Sequence, residues 1–128
     1  MKPRFLGFDE VLEIHRDQLE RYGGSPGIRD SALLSSAIAM PSAGSAGEYL
    51  HTDLIEMAAA YVFHIVKNHP FIDGNKRTGA VAALVFLDLN GVEVRIAEAE
   101  LFDLIMAVAT GETSKSGVAE FLRSHCGR

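Results

Sequence analysis

Met57-Ala-Ala-Ala-Tyr-Val-Phe-His-Ile-Val66, Lys67-Asn-His-Pro-Phe-Ile-Asp-Gly-Asn-Lys-Arg-Thr78 and Gly79-Ala-Val-Ala-Ala-Leu-Val-Phe-Leu87 are the consecutive segments on which the fold turns. The outer two are apolar nearly all round, the signature of a helix buried on every side. Both are far shorter than the ~20 residues a membrane-spanning helix needs, so they read as core helices. Pro70 disfavours helical geometry at His69, which ends the first helix at about Asn68. Thr52 is a plausible N-cap for it, with Asp53 and Glu56 suited to the positive end of the helix dipole. The second helix runs to about Asn90, where Gly91 is a natural residue to follow a helix end.

Outward from this pair the chain reads as more helix. Residues 9–21 place Val11, Leu12, His15 and Leu19 at helical spacing, with Glu10, Glu13, Asp17 and Glu20 opposite. Gly23-Gly24 stops that helix, and Asp30 caps another that Pro41 terminates. Residues 41–50 are small and glycine-containing and read as a mobile loop. Val92-Glu-Val-Arg95 alternates like a short extended piece, and residues 97–110 and 114–124 complete the helices. The expectation is one all-α domain over residues 1–128, about six helices packed around two central apolar ones.

The chain of 128 residues carries a net charge of −5. That acidic balance argues against direct binding to nucleic acid, which calls for a basic face. Cys126 is the only cysteine, which rules out an internal disulfide and fits a reducing, cytoplasmic setting. It lies where a terminus is expected to fray. No apolar core of a secretion signal precedes the first acids, and no membrane attachment is expected.

The chemistry concentrates in residues 67–78. Gly74 permits a backbone turn that aims successive N–H groups into one concavity at the start of a helix, where anions are attracted. Lys67, Lys76 and Arg77 against Asp73 leave a local formal charge of +2 on an acidic protein. Two cations in the first turn oppose the helix dipole unless an anion compensates them. Asp73 would repel a phosphate unless a divalent ion bridged the two, and Mg²⁺ favours one carboxylate plus phosphate oxygens. His69 is the proton acceptor suited to neutral pH. Phe71 reads as an anchor into the core and Asn75 as a brace to the backbone.

Other candidates are weaker. His64 and His69 are five apart, which does not put both on one helix face for a metal. His15 falls on the apolar face of the first helix, as a satisfied core residue. His51 and His125 are expected to be solvated.

His69-Pro-Phe-Ile-Asp-Gly-Asn-Lys-Arg77 resembles the signature of the Fic/Doc superfamily, His-x-Phe-x-Asp/Glu-Gly-Asn-x-Arg. Arg21-Tyr-Gly-Gly-Ser-Pro-Gly-Ile-Arg-Asp30, Asn90-Gly-Val-Glu-Val94 and Ala109-Thr-Gly-Glu112 look like further matching stretches. The resemblance is to the Doc (death on curing) branch, the toxins of bacterial toxin–antitoxin pairs. Adenylylating Fic enzymes carry a second Gly where this sequence has Lys76 and a second Arg where it has Ala80.

That resemblance implies an ATP- and Mg²⁺-dependent phosphotransferase that modifies a threonine of elongation factor Tu and halts translation. It implies His69 as base and Asp73 as Mg²⁺ ligand, with Gly74, Asn75, Lys76 and Arg77 holding phosphates and Lys67 assisting. Residues 41–51 would correspond to a flap that docks the target. A cognate antitoxin with a disordered tail is the implied partner. The alternatives are AMP transfer, or a non-catalytic module that binds an antitoxin and acts as a co-repressor.

Overall fold

Helix α3 (Leu54–Asn68) and helix α4 (Asn75–Leu89) form the centre of the molecule, seen in a computed structural model that describes residues 2–126. In α3, Met57, Ala58, Ala59, Ala60, Tyr61, Val62 and Ile65 are almost wholly removed from solvent. In α4, Ala82, Ala83, Phe86 and Leu87 are likewise inside. The two helices meet closely at Gly79, where an added Cβ would lie 3.1 Å from Val66 Cγ2 and 3.4 Å from the Val62 carbonyl. Small residues on facing turns let the backbones approach, and the larger Tyr61 and Phe86 pack ring to ring at 5.2 Å.

Four further helices cover this pair. Helix α1 (Phe8–Tyr22) packs on α4, α2 (Ser31–Ala39) and α6 (Lys115–Ser124) on α3, and α5 (Glu98–Thr110) touches both central helices. Their ends follow ordinary capping chemistry. Asp30 accepts from Leu33 N at 3.0 Å, and Ser114 accepts from Gly117 N at 3.1 Å. Gly111 closes α5 in a left-handed conformation. The N-terminal segment is tied in by Leu6, whose N–H donates to the Tyr61 hydroxyl at 2.8 Å. Burial pushes the Tyr61 hydroxyl up to about 12, so it stays a neutral hydrogen-bonding group.

The all-α, six-helix reading holds, with local differences. Residues 41–50 are not an irregular loop: a 3₁₀ turn (Met40–Ser42) leads into a hairpin of β1 (Gly44–Ser45) and β2 (Glu48–Tyr49). Pro41 therefore sits inside a tightening turn, which its missing N–H permits. The cap of α3 is Asp53, which accepts from Glu56 N at 2.8 Å, whereas Thr52 donates its N–H to the Glu56 carboxylate. Val94 forms a single bridge with Cys126, so the extended piece pairs with the chain end and Cys126 is half-buried, not frayed. His51 is buried, and His125 stacks on Phe121 with ring centroids 4.3 Å apart, so neither is freely solvated. Among the described residues no helix is long and apolar enough to cross a membrane.

Replacing Gly79 with Val should wedge α3 from α4 and destabilise the fold by about 1–3 kcal/mol, measured by urea denaturation. An unchanged midpoint would show that the two helices have slack at this crossing.

Candidate active site

The six residues between α3 and α4 are held by three sets of contacts, each from a different part of the chain. The innermost is local. Phe71 is fully buried, and its backbone is closed by the Asn75 side chain: Phe71 N donates to Asn75 Oδ1 at 2.8 Å, and Asn75 Nδ2 donates to Phe71 O at 2.9 Å. One amide side chain thus satisfies both polar groups of a buried peptide unit. The expected roles of Phe71 as anchor and Asn75 as brace are met in this pair.

From α1, His15 lies face to face with Phe71, ring centroids 3.7 Å apart and planes 6° from parallel. Its Nε2 is 2.8 Å from the Asp73 carbonyl, which can only accept, so Nε2 carries the proton. The buried histidine is a core residue, and it also pins the loop backbone.

The third set is a strap formed by residues 23–30, the connection between α1 and α2. Arg29 N and Asp30 N both donate to Pro70 O, at 2.7 and 3.0 Å, and Ile72 N donates to Gly27 O at 3.0 Å. The Arg29 guanidinium reaches two successive carbonyls at the end of α3, Nε to His69 O at 2.6 Å and Nη2 to Asn68 O at 2.9 Å. His69 adopts φ 51° and ψ 54°, a left-handed conformation that costs a non-glycine residue about 1–2 kcal/mol. Arg29 satisfies the carbonyls exposed by that turn, and a cation there also suits the negative end of the helix dipole.

Asp73 and the first turn of α4 then face outward together. Asp73 Oδ2 accepts from Ser25 N at 3.1 Å and Oδ1 accepts from Gly74 N at 2.8 Å. These bonds, first from Ser25 and then from Gly74, hold the carboxyl below its ordinary range, with Arg77 and His15 adding to the effect. Gly24 is required beside it, since a Cβ there would meet Asp73 Oδ2 at 3.0 Å and Leu19 Cδ2 at 2.8 Å. Gly74, at φ 79°, turns the chain into α4. The first bond of that helix runs from Thr78 N to Gly74 O, so the N–H groups of Asn75, Lys76 and Arg77 precede the ladder. Arg77 donates to Gly23 O at 2.8 Å and lies over Tyr22, its central carbon 5.5 Å from the ring centroid. Lys76 is exposed.

A cavity of about 450 Å³ opens over this turn. His69, Asp73, Gly74, Asn75, Lys76 and Arg77 form its polar wall. Leu101, Phe102, Ile105 and Met106 of α5 form an apolar wall, with Glu98 at its edge. Ala80 lies on the polar side one turn beyond Lys76, leaving that wall without a third side-chain cation. Lys67 does not line the cavity: its Nζ lies near Gly111, at the turn after α5. The Asn75 side chain is committed to Phe71, so its offer to a ligand is its backbone N–H.

Sequence reasoning missed His15 as a loop support, Arg29 and Ser25 as supports from the strap, and the α5 wall. The only signal for the strap was its place in the resembling stretch Arg21–Asp30, since Arg29 lies 40 residues from the carbonyl it holds.

Asn75→Ala should leave the buried N–H and C=O of Phe71 unpaired and destabilise the protein by about 2 kcal/mol or more in urea denaturation. A loss below about 0.5 kcal/mol would show that the loop is held by the strap alone.

The Fic/DOC family profile matches residues 5–87. The chain is 41% identical over 120 residues to the protein kinase Doc of Escherichia phage P1, covering 94% of each protein. It is 37% identical over 102 residues to the toxin Doc of Mycolicibacterium smegmatis, covering 77% of each. With the profile spanning well over half its length and the signature's His69, Asp73, Gly74, Asn75 and Arg77 gathered on one cavity, this chain belongs to the Fic/DOC family.

Proposed function

We propose that this chain is the toxin of a bacterial toxin–antitoxin pair and transfers the γ-phosphate of ATP to a threonine of elongation factor Tu, acting in the cytoplasm. The observation that carries the reading is the convergence of His69, Asp73, Lys76 and Arg77 on one cavity at the start of α4. A developing charge on a transferring phosphoryl group is stabilised by fixed cations and N–H dipoles, which this turn supplies without rearrangement. The names of the two relatives, a protein kinase and a toxin, support the same assignment.

In this reading the threonine hydroxyl enters beside His69, which accepts its proton. The first-turn N–H groups of α4 with Lys76 and Arg77 hold the phosphates, and Arg77 is steadied by Gly23 and Tyr22. Asp73 suits Mg²⁺: its carboxyl is held ionised, is exposed, and keeps lone pairs beyond those taken by Ser25 and Gly74. Among the described residues no three potential protein ligands cluster, which fits an ion bound by one carboxylate and substrate phosphates. Mg²⁺ would neutralise phosphate charge as it develops. The apolar wall on α5 offers a face for the nucleoside. None of residues 41–51 lines the cavity, so a docking role for the hairpin requires the target chain to extend across to it.

Ala80 favours phosphoryl over adenylyl transfer, because the second arginine of the adenylylating enzymes is absent from the cavity wall. The neutralising partner is an antitoxin whose disordered tail folds onto this chain.

Incubation with γ-³²P-ATP, Mg²⁺ and elongation factor Tu should label the factor and add about 80 Da, against about 329 Da for an adenylyl group. His69→Ala should lower the rate by about 10²–10⁴-fold. Label from α-³²P-ATP would replace this reading with nucleotidyl transfer, and no label from either would remove elongation factor Tu as substrate.

Asp73→Ala should abolish the Mg²⁺ dependence of that reaction while the protein stays folded, because an exposed carboxylate buries little. Unfolding at room temperature, read by circular dichroism, would instead make Asp73 a structural link to the strap.

A further inference from the structure

Away from the nucleotide cavity, α3 and α6 enclose a second one of about 300 Å³, lined by His51, Glu56, Lys115, Ser116, Glu120 and Arg123. Lys115 is the first residue of α6 and is partly buried, whereas Lys2, Lys67 and Lys76 are exposed. Its Nζ lies 3.0 Å from His64 Nε2. A charged Lys115 can only donate in that contact, with the ring nitrogen accepting, whereas a neutral amine can also accept from Nε2–H. Burial, reinforced by Lys115 and then His51, pushes His64 down to about 4, which keeps it uncharged across the neutral range.

Most of the surroundings of Lys115 favour an uncharged amine. Among the described residues no carboxylate lies within 4 Å of Nζ. Asp53 is paired with Arg123 at 3.0 Å, and the Glu56 carboxylate accepts from Thr52. A cation at the first position of a helix opposes its dipole. Desolvation moves the amine in the same direction, below its ordinary range. The charged or titratable groups facing it are His51, His64, Glu56, Glu120 and Arg123, and only the two glutamates would favour its charge.

We propose that Lys115 is an acylation site, taking a short acyl group from a small thioester that enters the cavity between α3 and α6. The volume admits a short acyl chain, and Glu56 and Glu120 disfavour a multiply anionic donor such as an acyl phosphate. Nζ attacks the carbonyl carbon, a C–N bond forms and the C–S bond breaks. Solvent takes the proton shed by the amine and protonates the departing thiolate, while the contact with His64 Nε2 positions Nζ. The products are an amide on Lys115 and a free thiol, with no oxidant or reductant needed. The amide removes the cation from the start of α6.

The test is acetylation of the full-length protein by limiting N,S-diacetylcysteamine, with site occupancy read by peptide mass spectrometry between pH 6 and 10.5. Lys115 is expected to acetylate several-fold faster than Lys67 and Lys2 at pH 7, since desolvation lowers its pKa and leaves more of it as free amine. The ratio should shrink as the pH is raised toward 10.5, because the advantage of a more readily deprotonated amine is lost. In His64→Phe the preference should fall while Lys67 reacts as before. In urea it should disappear. Equal rates at pH 7, a ratio independent of pH, or a preference that survives urea would each overturn the assignment. The pH profile of the unmodified sequence decides the matter even if His64→Phe does not fold.

Discussion

The reciprocal pair between the Asn75 side chain and the Phe71 backbone is the constraint on which the site depends. Six residues must turn the chain from α3 into α4, and the middle of that turn goes through the core at Phe71. A buried peptide unit that cannot join a helix or sheet has to find partners elsewhere, and Asn75 supplies both. Because Asn75 is also the first residue of α4, the same two bonds set where that helix begins. The N–H groups of the first turn are placed by a side chain that is itself turned to the Phe71 backbone.

Around that pair the loop is supported by segments distant in sequence, in keeping with its polar and strained character. His69 occupies a left-handed conformation and Asp73 faces solvent, so neither contributes much packing of its own. Their positions come instead from hydrogen bonds to neighbours: His15 on the Asp73 carbonyl, Arg29 on the carbonyls of Asn68 and His69, and Ser25 on the Asp73 carboxylate. Pre-organisation of this kind is the condition under which fixed dipoles stabilise a transition state, since nothing need reorient as charge develops. The strap also shapes the electrostatics. It occupies one arm of Arg77 through Gly23, while Lys76 stands exposed at the surface.

The cavity joins two unlike walls. The α4 side is polar and locally positive on a chain of net charge −5, whereas α5 contributes Leu101, Phe102, Ile105 and Met106. Phe102 and Met106 stand exposed side by side along this wall, an apolar patch that fits one side of a binding cleft. A ligand with a charged end and a flat apolar end matches that division, in keeping with the nucleotide proposed above.

The architecture was legible in the sequence because two apolar runs flanking a polar loop leave few ways to bury a core of this size. Gly, Pro and capping residues marked most helix ends within a residue or two, and the loop declared its chemistry through residue types that conflict with ordinary helix starts. Errors fell where local signals compete: Thr52 and Asp53 are both good caps, and a small-residue stretch can be a loop or a hairpin. The burial of His51, the bridge from Val94 to Cys126, and the supports at His15 and Arg29 arise only when separate elements meet. A hydrogen bond between residues 40 or 58 positions apart leaves no periodic trace along the chain. Sequence alone determined that a cationic helix start carries His69 and Asp73. Which cations reach the cavity, with Lys76 and Arg77 inside and Lys67 outside, was decided by the tertiary packing of α5 against that turn.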